Sequence, residues 1–186
     1  RAPSSAFSGL APCTGSEKRR SHSGLCKNMM TDKTAIRNAA TIILLRNRLE
    51  NPSVLMGQRG AKAAFMPNKF VFPGGAVDAA DANITLAEQI PAPCNARLVE
   101  DCASDITAPL CVAAIRELWE ETGLILGRKA PWPDTPPAAW CDFAAAGYVP
   151  SAENLQFVFR AITPPGRPRR FDARFFAIDA SHLAGD

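Results

Sequence analysis

No stretch of this 186-residue chain is apolar for the length that a membrane-spanning helix requires. Only two histidines are present, His22 and His182. The six cysteines, at 13, 26, 94, 102, 111 and 141, include no C-x-x-C pair and no zinc-like grouping with either histidine. These absences exclude a transmembrane helix and the common thiolate zinc sites. They point to free thiols in a reduced, cytoplasmic compartment, with a disulfide among Cys94, Cys102 and Cys111 as the alternative. Strong charge of one sign is also missing. The net charge is +3, and several of the basic residues lie near the N-terminus, so electrostatics gives no argument for a nucleic-acid partner.

What is present is a soluble globular balance of 47% hydrophobic and 21% charged residues. Residues 1–34 are expected to be a basic, disordered tail. Up to residue 28 they contain Lys18-Arg19-Arg20, Glu17 as the sole acid and no periodic apolar pattern. This tail reads either as a targeting segment or as an upstream extension. Residues 35–186 are expected to form one domain.

The domain is organised around Arg116-Glu117-Leu118-Trp119-Glu120-Glu121-Thr122-Gly123-Leu124, preceded by Cys111 to Ile115. At about 100° per residue, Glu117, Glu120 and Glu121 share one helix face, and Cys111, Val112, Ile115, Leu118 and Trp119 gather on the other. Three carboxylates at i, i+3 and i+4 repel one another unless something neutralises them. Mg²⁺ or Mn²⁺ does so with hard oxygen ligands while leaving positions for substrate phosphates. A solvated acidic face is the alternative on periodicity alone. Gly123 suits the left-handed residue that ends a helix, and Leu124 to Leu126 is expected to leave as a strand.

This stretch, with Phe72-Pro73-Gly74-Gly75 upstream, resembles the signature box of the Nudix hydrolase family, G-x5-E-x7-R-E-U-x-E-E-x-G-U with U apolar. Every fixed position from Arg116 to Leu124 matches. Arg116, however, stands 41 residues after Gly75 instead of 14, a surplus of 27 that divides the box. Ala108 occupies the place of the first-half glutamate if the insert lies early, and Asp81 occupies it if the insert lies late. Asp81 is taken as the stand-in. The insert, residues 76–109, is expected to carry short helices around 84–89 and 96–103, and to serve as a lid or substrate wall or else as a surface excursion. The split box, with Arg160-Ala161-Ile162-Thr163-Pro164 and Arg170-Phe171-Asp172-Ala173-Arg174-Phe175-Phe176, is similar to the peroxisomal acyl-coenzyme A diphosphatase type and its bacterial relatives.

The resemblance implies an α/β (α+β) fold, a mixed sheet sandwiched by helices, and implies that a further strand and helix belong after the C-terminal end. It implies metal-dependent hydrolysis of a diphosphate in a nucleoside diphosphate derivative, coenzyme A or acyl-coenzyme A first. ADP-ribose, nucleotide sugars, nucleoside triphosphates and capped RNA are alternatives, as is a non-catalytic nucleotide-binding module. Glu117, Glu120, Glu121 and the Gly75 carbonyl would hold Mg²⁺ or Mn²⁺, with Arg116 orienting a glutamate and a base from the box or from a later loop acid, Glu153 or Asp172.

Elsewhere, Ala39 to Leu45 reads as a strand buried on both faces, and Val54 to Arg59 as its hairpin partner. Residues 60–68 read as a loop, and Leu155 to Ile162 and Phe175 to Ile178 as strands. Arg167, Arg169, Arg170 and Arg174 are expected in a loop, where guanidinium forks would hold phosphate, or else as a solvated basic patch. Arg59, Arg170 and Arg174 are the substrate-binding candidates. Arg59-Gly60 lies near the place of a coenzyme A motif without reproducing its spacing.

Overall fold

The computed structural model describes residues 35–61, 67–100, 102 and 106–184. The N-terminal tail, five residues of the expected 60–68 loop and part of the helix expected over 96–103 lie outside these. The mixed sheet is built on β1 (Ile36–Arg46), whose Ala40, Ile42 and Leu44 alternate into the core. Its other face is only half-covered, contrary to a strand buried on both sides, because Thr41 borders a cavity there.

On one side β1 pairs antiparallel with β2 (Ser53–Val54) and with β5 (Gly74–Ala76). On the other it pairs in parallel with β9 (Arg170–Asp179), which pairs antiparallel with β8 (Gln156–Ile162). Two small ladders stand apart: β3 (Gly57–Gln58) with β4 (Phe70–Val71), and β6 (Gly127–Lys129) with β7 (Tyr148–Pro150). The expected strand over 124–126 is thus displaced: Ile125 makes only an isolated bridge to Ala184.

Of the helices, α1 spans Ala92–Leu98, α2 Thr107–Thr122 and α3 Cys141–Ala145. Prolines open two of them: Pro93 lies in the first turn of α1 and Pro109 in that of α2, where a missing N–H costs nothing. The helix expected over 96–103 therefore begins earlier, and Pro109 belongs to α2 instead of closing the insert. Gly123 ends α2 at φ +72°, as its position in the sequence required. No helix among the described residues is long and apolar enough to cross a membrane.

The insert is the largest departure from expectation. Residues 84–89 form no helix. Ala87 donates its N–H to the Pro150 carbonyl (2.8 Å) and Ala152 donates to the Glu88 carbonyl (2.9 Å), so the segment's backbone is committed across the fold. Its apolar side chains turn inward: Ile84, Leu86, Ile90, Cys94 and Leu98 are all buried in the main core with Ile42, Ile115, Leu118 and Phe176. Arg97 fastens α1 to the sheet, donating to the carbonyls of Phe157 (2.8 Å) and Val158 (3.0 Å) at the bulge in β8. A lid or a surface excursion would not supply core. Trp119, Trp140 and Phe143 close the other end of the same core edge to face. Cys94, Cys102 and Cys111 are free thiols, so no disulfide joins any two of them.

Candidate active site

Because β5 lies beside β1, with Gly75 opposite Ala40, the glycine strand runs directly against the acidic face of α2. A Cβ on Gly75 would sit 2.3 Å from Glu117 Oε1, so only glycine allows this approach. The Gly74 N–H donates to Glu121 Oε2 at 3.2 Å. Strand and helix are thus joined at both glycines.

Arg116 organises the cluster from beneath. It is buried, and its three nitrogens make five hydrogen bonds, matching the donor capacity of a guanidinium. Nε and Nη2 donate to the two oxygens of Asp81 (2.9 and 3.2 Å), and Nη2 also donates to the Ala76 carbonyl (3.0 Å). Nη1 donates to Glu117 Oε1 (2.9 Å) and Glu120 Oε2 (3.1 Å). Burial opposes its charge, yet Asp81 and Glu117 hold the guanidinium above even its ordinary range. Burial in turn pushes the Glu117 carboxyl up, against the pull of Arg116 and with the help of Glu120 and Glu121.

Asp81, only 2% exposed, accepts from the Asp78 N–H as well (2.8 Å) and caps the 3-10 turn Ala79–Asn83 that opens the insert. The expected stand-in therefore joins the cluster as the partner of Arg116. Asp78 adds ion pairs to Arg116 (3.8 Å) and Arg37 (3.9 Å), contacts for which no local pattern in the chain provides a signal.

Four carboxylates, Asp78, Asp81, Glu117 and Glu120, thus meet one fully committed arginine, with Glu121 held by Gly74 nearby and Arg37 at the edge. This excess of negative charge on hard oxygen donors, set against a glycine strand with no side chain in the way, fits a divalent cation. Among the described residues no three of these groups are already gathered around a common point, because Arg116 and the Gly74 N–H hold the glutamate oxygens.

The arginine loop needs correction. Arg170 and Arg174 lie within β9, and Arg174 faces inward at 2% exposure. It donates to Asn38 Oδ1 (2.7 Å), the Asp172 carbonyl (2.9 Å) and Cys102 Sγ (2.6 Å), leaving it closed to a phosphate. Arg170 Nε goes to the Thr163 carbonyl. Asp172 accepts both forks of Arg160 at 2.7 Å; although burial opposes its charge, these bonds and Arg174 hold its carboxyl below the usual range, which makes it a poor base. Glu153 is exposed ahead of β8, away from the cluster's hydrogen bonds and ion pairs.

Two cavities lie near the site, one bordered by the glycine strand and the other by Pro73 just before it. One, of about 510 Å³, is bordered by Gly75, Arg37, Arg59, Arg169, Ala161 and Phe175. Phe159 stacks on Phe175 at 4.2 Å beside it. The other, of about 610 Å³, is bordered by Leu55, Met56, Gly57, Val71, Arg59 and Glu121. Arg59 touches both, and its Nε is buried with no hydrogen-bond partner among the described residues.

No family model matches the chain. A curated Caenorhabditis elegans protein, placed by its name among the nudix hydrolases as number 7, is 34% identical over 154 residues, covering 76% of this chain and 44% of its own. The chain thus spans less than half the length of that relative. A crystal structure of a NUDIX hydrolase from Alicyclobacillus acidocaldarius superposes with a TM-score of 0.62 at 30% identity, over 81% of this chain and 72% of the other. The crystal structure of a Nudix hydrolase from M. smegmatis, RenU, aligns at 17% identity with a TM-score of 0.35, too distant to bear on the argument.

Proposed function

Since the chain belongs to the Nudix hydrolase family, as its likeness to the Alicyclobacillus acidocaldarius structure shows, we propose that it hydrolyses the diphosphate linkage of a nucleoside diphosphate derivative with Mg²⁺ or Mn²⁺. Coenzyme A or an acyl-coenzyme A is the leading substrate. The observation that carries the reading is the contact of Glu117 with Gly75 above a buried arginine whose donors are all in use. What favours coenzyme A is the split box and a cavity bordered by three arginines, enough for a phosphate beyond the diphosphate.

Glu117, Glu120, Glu121 and the Gly75 carbonyl would hold the ion. When bound, it supplies charge neutralisation at the diphosphate and lowers the pKa of a water. Arg116 keeps Glu117 and Glu120 oriented. Asp81 keeps Arg116 from turning away, and Gly74 holds Glu121. Hydrolysis adds one water across the bridge. A new P–O bond forms on one phosphorus, the bridging oxygen leaves on the other with the water's second proton, and two monophosphates result. Positioning and charge neutralisation carry most of the catalysis.

Glu120→Gln keeps the side chain's size and removes a charged oxygen. Turnover is expected to fall by several orders of magnitude while the circular dichroism stays the same. The parent's melting temperature is expected to rise in millimolar Mg²⁺ or Mn²⁺ and to drop back with chelator. Full turnover in the variant, or a melting temperature blind to both ions, would sink the proposal.

A further inference from the structure

We infer that Cys102 is a site of reversible oxidation: a hydroperoxide places one oxygen on its sulfur, and the buried guanidinium of Arg174 holds the sulfenate that results. The site shares no residue with the carboxylate cluster and does not depend on the hydrolase reading.

Arg174 is the observation that points there. It is 2% exposed, and its Nε is buried with no hydrogen-bond partner among the described residues. A buried guanidinium nitrogen left without an acceptor is uncommon in a folded protein. Two other arginines show what this edge of the group ordinarily holds. Nε and Nη2 of Arg116 donate to the two oxygens of Asp81, and Nε and Nη2 of Arg160 donate to the two oxygens of Asp172. Arg174 instead donates from Nη2 to Cys102 Sγ at 2.6 Å and has nothing at Nε. Sulfur is a weak acceptor, and Asp172, the one carboxylate in reach of Arg174 among the described residues (3.1 Å), is shared with Arg160. Arg59, whose Nε is likewise unpartnered, borders two cavities where a free ligand can enter. Arg174 is closed to a free anion by Asn38, Asp172 and Cys102, so its missing acceptor has to be made in place.

Cys102 is where that can happen. It is half-exposed, so a small oxidant reaches the sulfur from solvent while Arg174 meets it from the buried side. With hydrogen peroxide, an S–O bond forms and the O–O bond breaks. The sulfur gives up two electrons, and the second peroxide oxygen leaves as water with the thiol proton. The sulfenic acid then loses its own proton to solvent, and its oxygen accepts from the planar guanidinium edge that holds Nε. The other described thiols lack this arrangement. Cys94 and Cys111 are buried, and the half-exposed Cys141 thiol faces the Pro136 and Pro137 carbonyls (3.8 and 3.7 Å), whose oxygens repel an anion. The Cys102 N–H donates to the Val99 carbonyl just past α1 (3.2 Å), so a sulfenate on Arg174 ties the insert to β9 and stabilises the fold.

The test exposes the reduced full chain to hydrogen peroxide with dimedone present to trap sulfenate, and follows each cysteine peptide by mass. Cys102 is expected to be trapped on the order of tenfold faster than Cys141, with Cys94 and Cys111 slower still. Without dimedone, peroxide should raise the melting temperature by about 2–4 °C, and dithiothreitol should return it. Surface oxidation without a held product would not raise it. Cys102→Ser should show no such rise, and Arg174→Lys, which keeps the charge and loses the fork, should bring trapping at Cys102 down to the rate of Cys141. The comparison of Cys102 with Cys141 and the Cys102→Ser control leave Arg174 unchanged, so they decide the matter if Arg174→Lys does not fold. Trapping at Cys102 no faster than at Cys141 would overturn the inference. So would a melting temperature that peroxide lowers or leaves alone, a rise that persists in Cys102→Ser, or undiminished trapping in a folded Arg174→Lys.

Discussion

Leu98→Ala tests whether the insert is core or ornament. Leu98 closes α1 at 1% exposure, packed in the same cluster as Ile42 and Leu118. Truncating a buried leucine removes its transfer free energy and leaves a cavity, about 2–5 kcal/mol together. Arg97, its neighbour, fixes α1 to β8 through two carbonyls, so the helix cannot readily collapse inward and a loss of about 3 kcal/mol is expected. With a urea slope of about 2 kcal/mol per molar, the midpoint should fall by about 1.5 M. A residue in a tolerated surface excursion would move it by about 0.25 M or less, corresponding to ~0.5 kcal/mol. Equilibrium urea unfolding followed by tryptophan fluorescence separates the two outcomes. A shift below about 0.3 M with an unchanged slope would refute the assignment of the insert to the core. By the same reasoning, replacing residues 82–107 with a short linker should abolish folding instead of changing substrate choice.

Asp81→Ala should cost about 3 kcal/mol, because it leaves the buried Arg116 Nε without its acceptor, while Glu117, Glu120 and Ala76 still hold the other nitrogens. Chemical denaturation checks this, and a loss under ~0.5 kcal/mol would show that Arg116 does not depend on Asp81. Asp172, depressed in the fold, contributes stability that is fully present above its unfolded value near 3.8 and is lost as pH falls from there through the lower folded value. Stability measured from pH 6 to 2 should therefore fall less steeply at the acid end in Asp172→Asn than in the parent. The Cys111 thiol, fully buried and pushed up to about 12 by burial and by Cys94, should resist maleimide at pH 8 in the native protein and react at once in denaturant. Fast native labelling at Cys111, read by peptide mass, would contradict its burial.

Much of the site was legible because the helix periodicity and the chemistry agreed. Glu117, Glu120 and Glu121 had to share a face, and Gly123 had to end the helix there. The approach of Gly75 to the acidic helix was implied by the family resemblance alone, and its physical reason, the Glu117 carboxylate in the place of a Cβ, needed the fold. Other parts were hidden for identifiable reasons. In β9 the inward positions Asp172 and Arg174 are charged, so the strand's alternation read as a basic loop, although Arg160 pairs with Asp172 and Asn38 and Cys102 accept from Arg174. Residues 84–89 have a helix-like composition, but Pro150 and Ala152, some sixty residues on, take their backbone hydrogen bonds. Tertiary pairing of that kind leaves no trace in a local window. The two cavities draw on residues from Arg37 to Phe175, a set that only the sheet brings together.

The parallel pairing of β1 with β9 sets a timetable for folding. Ile36 lies beside Arg170 and Leu45 beside Asp179, a constant separation of 134 residues. On a ribosome adding about 5–20 residues per second, β1 therefore waits roughly 7–27 s for its central neighbour to be made. During that interval the apolar run from Ile42 to Leu45 has one edge open, able to pair with any strand that reaches it first. Contacts so distant along the chain also make the closing step slow, since the loop must be ordered before the sheet rewards it. The chain is accordingly most vulnerable to aggregation before it is complete, and chaperone supply during synthesis should govern its yield more than the stability of the finished fold does.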